Sequence, residues 1–182
     1  MLITSFMVQK HTIPLLDISE KGLAITVEDQ DLWRSGILEF SIPCTIAKPL
    51  IAKLSIIKTH EGCVVRGDLT GSVLLPCDRC AEETSIEIAW QFDDFEPNPG
   101  LPDESGGVLE TRIVHEGGID ALDIGALLWE EFLLALPEKP LCSETCKGLC
   151  PHCGQNLNTG PCACQKDEGD PRLAVFRTMR HS

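Results

Sequence analysis

The chain has 182 residues, of which 43% are hydrophobic and only 5% aromatic, and it contains no tyrosine. This composition allows a packed core, but so few aromatic side chains argue against an exposed platform on which nucleic-acid bases stack. The net charge is −13, and residues 61–140 carry eighteen acidic and four basic side chains. Such a segment repels phosphate backbones and attracts basic partners, although it is also typical of a solvated face that keeps a protein soluble.

Targeting and membrane-spanning signals are weak in this sequence. Its apolar runs are too short to span a membrane, and residues 1–10 lack the basic start and the apolar length of a signal peptide. We therefore expect a cytoplasmic protein that is not exported. Met7 is an alternative start, in which case residues 1–6 are dispensable.

Several segments in the first half of the chain have the composition of β-strands. Strands are predicted at residues 50–57, 63–69, 72–75 and 85–92, with a hairpin turn at residues 60–62. In the last of these strands every second residue from Ile86 to Phe92 is apolar, as expected when one face is buried. Consecutive strands joined by short turns predict an antiparallel sheet or a partly closed barrel.

Residues 123–136 are predicted to form the main helix. Asp120 or Asp123 can cap its start, and a proline directly after its end stops it. Most faces of this helix are apolar, so we expect it to pack across the sheet. Only Glu130 and Glu131 are expected to require solvent.

The predicted fold class is α+β, in two parts. Residues 1–140 are expected to form an α+β domain in which one helix packs on the sheet. Within it, residues 93–107 are acidic and rich in proline and glycine, which indicates a mobile loop. Residues 141–182 are expected to form a cysteine-rich, metal-binding tail docked on that domain. This tail is zinc-ribbon-like and ends in a short helix from Asp170 to Arg180.

Ten cysteines are the strongest functional signal. Disulfides do not persist in a reducing compartment, so the spacing of these cysteines indicates metal binding or redox chemistry. Residues 77–80 form a CxxC motif, residues 150–154 have the CPxCG form of a zinc knuckle, and residues 162–164 form CxC. Eight of the cysteines fill two tetrahedral shells, which predicts about two zinc ions per chain. The predicted ligands are Cys77, Cys80, Cys142, Cys146, Cys150, Cys153, Cys162 and Cys164.

These eight cysteines can be divided between two sites in more than one way. We favour a local assignment, because the short loop from residue 154 to residue 161 loses little entropy on closing. It gives a tail site (Cys150, Cys153, Cys162 and Cys164) and a bridging site (Cys77, Cys80, Cys142 and Cys146) that joins the sheet to the tail. An interleaved pairing is the alternative. His152 is a substitute ligand if the short CxC spacing strains chelation, and is otherwise a solvent-facing residue of the knuckle.

Other uses of these residues fit the sequence less well. A thioredoxin-type dithiol opens a helix, whereas a strand follows Cys80, and an iron–sulfur cluster is the alternative to zinc. Closed four-thiolate sites leave no coordination position for water, and the sequence has no phosphate-binding glycine loop. Cys44 and Cys63 lie in apolar, strand-like surroundings and are expected to be small buried hydrophobic residues.

The order of the motifs resembles the YceD family of large ribosomal RNA accumulation proteins. The resemblance is carried by CDRC at 77–80, GGIDALDIGALLWEEFLLALPEKPLC at 117–142, CKGLCPHCGQNLN at 146–158, CAC at 162–164 and DPRLAVF at 170–176. It implies a bacterial cytoplasmic protein that supports 23S ribosomal RNA levels and large-subunit assembly. Genes of the family often lie beside one for a small basic ribosomal protein. Some members keep only the CxxC, which implies that the tail site is structural.

Together these features predict a non-enzymatic zinc-binding factor with no catalytic residue, which acts through contacts with a ribosomal protein or a pre-50S particle. The alternative is a metal-dependent or thiol redox enzyme that uses the CxxC cysteines. Direct RNA binding is disfavoured because the tail has few basic residues and each zinc tetrathiolate adds a charge of about −2. Those basic residues are Lys147, Lys166, Arg172, Arg177 and Arg180.

Overall fold

Alternating apolar and polar residues form three long antiparallel strands in the computed structural model, which describes residues 11–104 and 106–164. The elements are β1 (Thr12–Pro14), β2 (Leu23–Val27), α1 (Gln30–Glu39), β3 (Thr45–Lys58), β4 (Gly62–Pro76), β5 (Glu83–Pro97), β6 (Ile113–Glu116), β7 (Ile119–Asp123) and α2 (Ile124–Ala135). A single 3-10 turn at Leu15–Asp17 follows β1. The predicted α+β class is confirmed over the part of the chain described.

The strands form two antiparallel sheets. The larger sheet has the order β2-β3-β4-β5, and the smaller has the order β1-β7-β6. In the larger sheet β2 pairs only with the second half of β3, from Leu23↔Ile56 to Val27↔Ala52, and β5 forms the opposite edge. Because β2 and β5 do not pair, this sheet does not close on itself. The antiparallel sheet is therefore found and the barrel alternative is not.

Residues 63–69 and 72–75, predicted as separate strands, are parts of one strand, β4. Its pairing with β5 is unbroken from Gly62↔Pro97 to Pro76↔Glu83. The irregularity lies on its other side, where the register against β3 shifts twice between Ile46 and Ile51. A bulge bends a strand without ending it, which is why the sequence pattern breaks here although the strand continues.

The predicted loop at residues 93–107 begins later than expected, because β5 continues to Pro97. The acidic side chains at the end of β5 have partners within the fold, so they do not require a solvated loop. Asp93 forms an ion pair with Arg66 across the sheet at 2.7 Å. Glu96 is almost fully buried and forms an ion pair with Arg112.

The predicted helix is confirmed as α2. The Asp123 carboxylate accepts a hydrogen bond from Ala126 N at 3.0 Å, so Asp123 and not Asp120 is the cap. The sequence did not predict α1, which begins where Asp29 accepts a hydrogen bond from Asp31 N at 3.0 Å. Two helices are thus present among the described residues instead of one.

Glu131 is buried, whereas the sequence predicted that it would be exposed to solvent. It is only 4% exposed, and its carboxylate accepts a 2.6 Å hydrogen bond from the Trp90 indole on β5. Burial raises the pKa of Glu131 above its ordinary value of 4.5, and the neighbouring Asp94 carboxyl raises it further. The side of α2 that carries Glu131 therefore faces β5 and not solvent.

The main apolar core of the described residues lies between the larger sheet and the two helices. Its largest fully buried side chains include Trp33 of α1, Leu50 and Leu69 of the sheet, and Leu127 and Phe132 of α2. Cys44 and Cys63 belong to this core, as predicted.

Some predictions lie outside the described residues. These are the last helix from Asp170 to Arg180 and the alternative start at Met7. In the described ranges no helix combines the length and the apolar character needed to cross a membrane.

Candidate metal centre

The turn between β4 and β5 carries the first two cysteines of the bridging site. Backbone hydrogen bonds from Cys77 N to Glu82 O and from Ala81 N to Cys77 O, both 2.8 Å, close this turn. Ala81 has a φ of 60°, a left-handed conformation that is uncommon for residues other than glycine. The Cys77 and Cys80 thiols are almost fully buried, at 2% and 3% exposure.

The tail lies directly against this turn. Leu149 N donates to Arg79 O at 2.9 Å. In the other direction, the Arg79 guanidinium donates to the carbonyl oxygens of Glu144 at 3.1 Å and Cys146 at 3.0 Å. Gly148 allows the close approach, since a Cβ there would lie 2.9 Å from Arg79 O. The middle of the CxxC motif therefore holds the tail segment that supplies the remaining cysteines of the bridging site.

The tail site begins with a compact knuckle. Cys150 N donates to Gln155 O at 2.8 Å, and Gly154 N donates back to Cys150 O at 2.9 Å. Gly154 has a φ of 73°, the positive value that a glycine permits after the second thiolate of the CPxCG motif. Cys150 is buried and Cys153 is exposed.

The structure brings the eight predicted ligands together in two groups of four. Within each group all four sulfurs lie within 4.8 Å of one another. Individual Sγ–Sγ distances are 3.8 Å for Cys77–Cys146, 3.6 Å for Cys80–Cys142 and 3.4 Å for Cys150–Cys162. The groups are those of the local assignment, and the interleaved pairing is not formed. His152 is exposed and belongs to neither group.

These distances fit a single metal ion in each group. Four sulfurs bound at about 2.3 Å to a tetrahedral ion lie about 3.8 Å from one another, whereas a disulfide requires about 2.05 Å. All eight cysteines are free thiols. Four thiolates are a donor set typical of zinc. An iron–sulfur cluster also takes four cysteines, but it binds them through several iron atoms and so holds their sulfurs further apart.

Hydrogen bonding at the bridging site favours thiolates at two positions. The pKa of Cys77 is lowered from 9.0 to about 6, chiefly by the backbone N–H of Cys142. The pKa of Cys146 is also lowered, chiefly by the side-chain N–H of Asn158. By contrast, a hydrogen bond with the Cys146 side chain raises the pKa of Cys142 to about 12. The sulfurs thus differ in how readily they lose their protons, and a divalent cation that replaces those protons allows all four to be thiolates.

The tail site has the same electrostatic pattern. Backbone N–H groups of Cys153 and His152 lower the pKa of Cys150 to about 6. A hydrogen bond with the Cys153 side chain raises the pKa of Cys164 to about 12. The two sites differ in exposure, since three cysteines of the bridging site are buried and only Cys150 is buried in the tail site.

Three residues that the sequence patterns did not single out support the two cysteine groups. Arg79 lies between the CxxC cysteines, and its side chain binds the tail backbone instead of solvent. Asn156 and Asn158 lie in the tail-site loop, residues 154–161, and both make contacts outside that loop. The available signal was the presence of two asparagines between cysteine pairs, because asparagine side chains readily bond to backbone groups.

Comparison with known proteins gives the two cysteine groups a family context. The family described as "Large ribosomal RNA subunit accumulation protein YceD" matches residues 65–180, a range that includes all eight cysteines. A relative in Arabidopsis thaliana, "Large ribosomal RNA subunit accumulation protein YCED homolog 1, chloroplastic", is 25% identical over 181 residues. That alignment covers 90% of this chain but 56% of the relative, so this chain spans about half the length of that protein.

Further similar proteins come from mycobacteria. Uncharacterized proteins of Mycobacterium tuberculosis and Mycobacterium bovis are each 27% identical to this chain over 172 residues, covering 85% of it and 81% of their own length. No solved structure matches the chain. Because the family match extends over more than half of the chain, from near the start of β4 through both cysteine groups, the chain belongs to the YceD family.

Proposed function

We propose that this chain is a non-enzymatic zinc-binding factor that supports accumulation of 23S ribosomal RNA and assembly of the large ribosomal subunit. The observation that carries the proposal is the family match over residues 65–180, whose description names large ribosomal RNA accumulation and whose range contains both cysteine groups. We place this function in the bacterial cytoplasm, where ribosomes are assembled. The name of the Arabidopsis relative places that protein in the chloroplast.

Zinc has a structural role in this proposal. Four sulfurs complete a tetrahedral shell and leave no position for a substrate or a reactive water. The bridging site connects the β4–β5 turn to residues that are 62 positions further along the chain, as between Cys80 and Cys142. A metal ion there fixes the tail against the end of the larger sheet. The resulting surface contains parts of both, and it forms only when the site is filled.

A basic protein is the partner that the charge distribution favours. Residues 61–140 carry eighteen acidic and four basic side chains. At the metal-site end of the sheet, Asp78, Glu82 and Glu83 are exposed beside the bridging site, and zinc with four thiolates adds a charge of about −2 there. A basic ribosomal protein is steered toward such a surface at a rate that falls with salt.

The edge strand β5 offers a place for this partner. It is the outermost strand of the larger sheet and pairs with β4 over its whole length without a bulge. Its fifteen residues include five acidic and no basic side chains. Long unprotected edges accept an added strand, and the residues of its first half, from Glu83 to Ala89, are mostly exposed. We propose that an extended basic segment of a ribosomal protein binds there.

Direct RNA binding has little support among the described residues. In the described part of the tail, Lys147 is the lone basic side chain. The nearby Arg79 guanidinium binds two backbone carbonyls, which occupies donors that would otherwise bind phosphates. The basic residues Lys166, Arg172, Arg177 and Arg180 lie outside the described ranges.

The alternative of a thiol redox enzyme is not favoured by the geometry. A redox dithiol must reach its substrate, whereas Cys77 and Cys80 are almost fully buried and their sulfurs face Cys142 and Cys146. No observation on the described residues supports a different catalytic site. We therefore retain the structural role of these cysteines.

A complementation experiment tests the proposed function. In a strain that lacks the gene, the wild-type chain should restore the ratio of 23S to 16S ribosomal RNA and the proportion of large subunits. The double variant Cys77→Ser, Cys80→Ser should fail to restore them, whereas Cys44→Ala, which changes a buried cysteine outside both groups, should succeed. A normal 23S level in the deletion strain, or full rescue by the double variant, would contradict the proposal.

A binding experiment tests the partner. Affinity for purified basic proteins of the large subunit and for 23S fragments should be measured at two salt concentrations. We expect salt-sensitive binding to a protein that Asp78→Lys with Glu83→Lys weakens. The matched control is Glu20→Lys with Glu28→Lys, which reverses two exposed acids elsewhere and should have little effect. Binding to RNA alone would overturn the proposed partner.

A further inference from the structure

Asn158 belongs to one cysteine group by sequence and contacts the other in space. It lies in the loop between Cys153 and Cys162 of the tail site. Its side-chain nitrogen donates a 3.3 Å hydrogen bond to the sulfur of Cys146 in the bridging site. Its side-chain oxygen accepts a 2.8 Å hydrogen bond from Lys147 N. Since only the oxygen can accept from Lys147 N, the amide must direct its N–H toward the Cys146 sulfur.

Backbone contacts of the loop position Asn158. Leu157 N donates to Gly148 O at 2.9 Å, and Leu149 pairs with Asn156 in an isolated antiparallel bridge. The Asn156 side chain accepts from Asn158 N at 2.9 Å. The tail-site loop thus lies along residues 146–150, the short segment that connects the last cysteine of the bridging site to the first cysteine of the tail site.

The conformation of this loop depends on its two ends. Cys153 and Cys162 hold those ends, and their sulfurs come together in the tail site. A bound ion keeps the ends fixed, whereas without it four like thiolates repel one another or must share protons. When the ends separate, the loop regains conformational freedom, and the bond from Asn158 to Cys146 is lost with it.

A hydrogen bond to a metal-bound sulfur stabilises the thiolate that the metal requires. Outer-shell donors of this kind typically change metal affinity by about 10- to 100-fold when removed. Asn158 is therefore in a position to link the occupancy of the tail site to the metal affinity of the bridging site. Coupling of this kind is reciprocal, so an ion in the bridging site must raise the metal affinity of the tail site by the same factor.

We propose that the two sites bind metal cooperatively and that Asn158 is the positioning residue that couples them. The inference rests on the proposed metal binding and goes beyond it, since two independent structural sites would serve the proposed function equally well. Its consequence is that singly loaded protein is less populated during a metal titration than two independent sites would give.

The test measures metal affinity directly in the full chain. Reduced apo-protein is titrated with zinc, and the species with no, one and two ions are counted by native mass spectrometry. The double variant Cys153→Ser, Cys164→Ser, in which the tail site is disrupted, is then titrated with cobalt against a competing chelator. Its thiolate-to-cobalt absorption gives the metal affinity of the bridging site. We expect this affinity to be about 10-fold lower than in the intact chain.

Substitutions of Asn158 separate its role from that of the loop. Asn158→Ala in the intact chain should lower bridging-site affinity by about 10-fold and make the one-ion species accumulate. Added to the Cys153→Ser, Cys164→Ser background, it should cause no further loss, because the bond is already absent. Asn158→Asp keeps an acceptor for Lys147 N but removes the donor, so it should not restore coupling. Gln155→Ala, in the same exposed loop, is the matched control and should behave as the wild type.

The outcomes distinguish the two proposals. Two bound ions whose affinities are the same in the wild type and in the Asn158 variants would overturn the coupling and leave the metal-binding proposal intact. Wild-type behaviour of Asn158→Asp would overturn the role of the N–H donor. Reduced protein that binds no metal at either site would overturn both the coupling and the proposed function.

Discussion

Glu131 is the residue whose environment departs most from what its chemistry suggests. On α2, it is buried against β5 and hydrogen-bonded to the Trp90 indole. Asp94 and Arg112 also face it, with Asp94 raising and Arg112 lowering its pKa, and burial is the largest influence. Because the net direction is upward, the folded chain holds this proton to higher pH than the unfolded chain does. The associated stability is present at low pH and is lost as pH rises through the raised pKa.

Glu131→Gln should remove this dependence while keeping an acceptor for the Trp90 N–H. We expect the variant to be more stable than the wild type at pH 8, with the advantage shrinking toward pH 4, where Glu131 is protonated. Chemical denaturation at both pH values measures the difference in unfolding free energy. Glu138→Gln, an exposed change just after α2, should show no such trend. An equal difference at both pH values would refute the assigned burial effect.

At the scale of elements, a glycine determines how closely the two helices approach. Gly36 of α1 lies under the Trp129 ring of α2, and a Cβ added there would lie 2.5 Å from ring atoms. Trp129 also stacks on Phe40, with ring centroids 5.6 Å apart. The glycine thus weakens α1 as an isolated helix but allows the contact that holds it in place.

Gly36→Ala should therefore destabilise the fold although alanine is the better helix former. Overpacking typically costs about 1–3 kcal/mol, against a propensity gain of about 1 kcal/mol. In a Trp129→Leu background the clash is relieved, and the same change should become neutral or stabilising. Thermal or urea unfolding of the four variants in this cycle gives the answer. A stabilising effect of Gly36→Ala alone would contradict the close approach of the helices.

The tail is the element whose order we expect to depend most on metal. We expect the order of its described residues, 141–164, to rest on the two cysteine groups and on backbone bonds such as that of Leu149 N to Arg79 O. Cys150→Ser should increase hydrogen exchange across residues 141–164 while the sheet stays protected. Cys77→Ser should also expose the Leu149 amide, because it opens the bridging site. Unchanged tail protection in Cys77→Ser would rule out that this site fastens the tail.

At the scale of the whole molecule, metal content is the decisive measurement. We expect about two zinc ions per chain with sulfur-dominated coordination, by elemental analysis and X-ray absorption on protein purified without a nickel column. Chelation should lower the thermal midpoint, because binding to the folded chain alone stabilises it. One ion per chain would mean that one group does not function as a site. Reduced thiols without any metal would refute the metal-binding assignment.

Local patterns were sufficient for part of this structure. The alternation from Ile86 to Phe92 predicted the buried face of β5, because side chains of a strand alternate between its two faces. Asp123 before an apolar run predicted the start of α2, because a cap acts on the first turn of its own helix. The cysteine spacing predicted which eight cysteines come together and how they divide into two groups, since short loops close at little entropic cost. The first two signals lie within a few residues of the features that they predict, whereas the bridging site joins cysteines 62 positions apart, as between Cys80 and Cys142.

Contacts between distant segments decided the rest. The sequence by itself determined the α+β class, the α2 helix and the cysteines of the two groups. Only the tertiary structure decided that β5 continues through Asp93, whose charge is balanced by Arg66 on β4, and that Glu131 is buried beside Trp90. It also decided that Asn158 reaches Cys146 in the other cysteine group. In each case a polar side chain has a partner supplied by another part of the fold, and its preference for water or for the interior depends on that partner and not on its sequence neighbours.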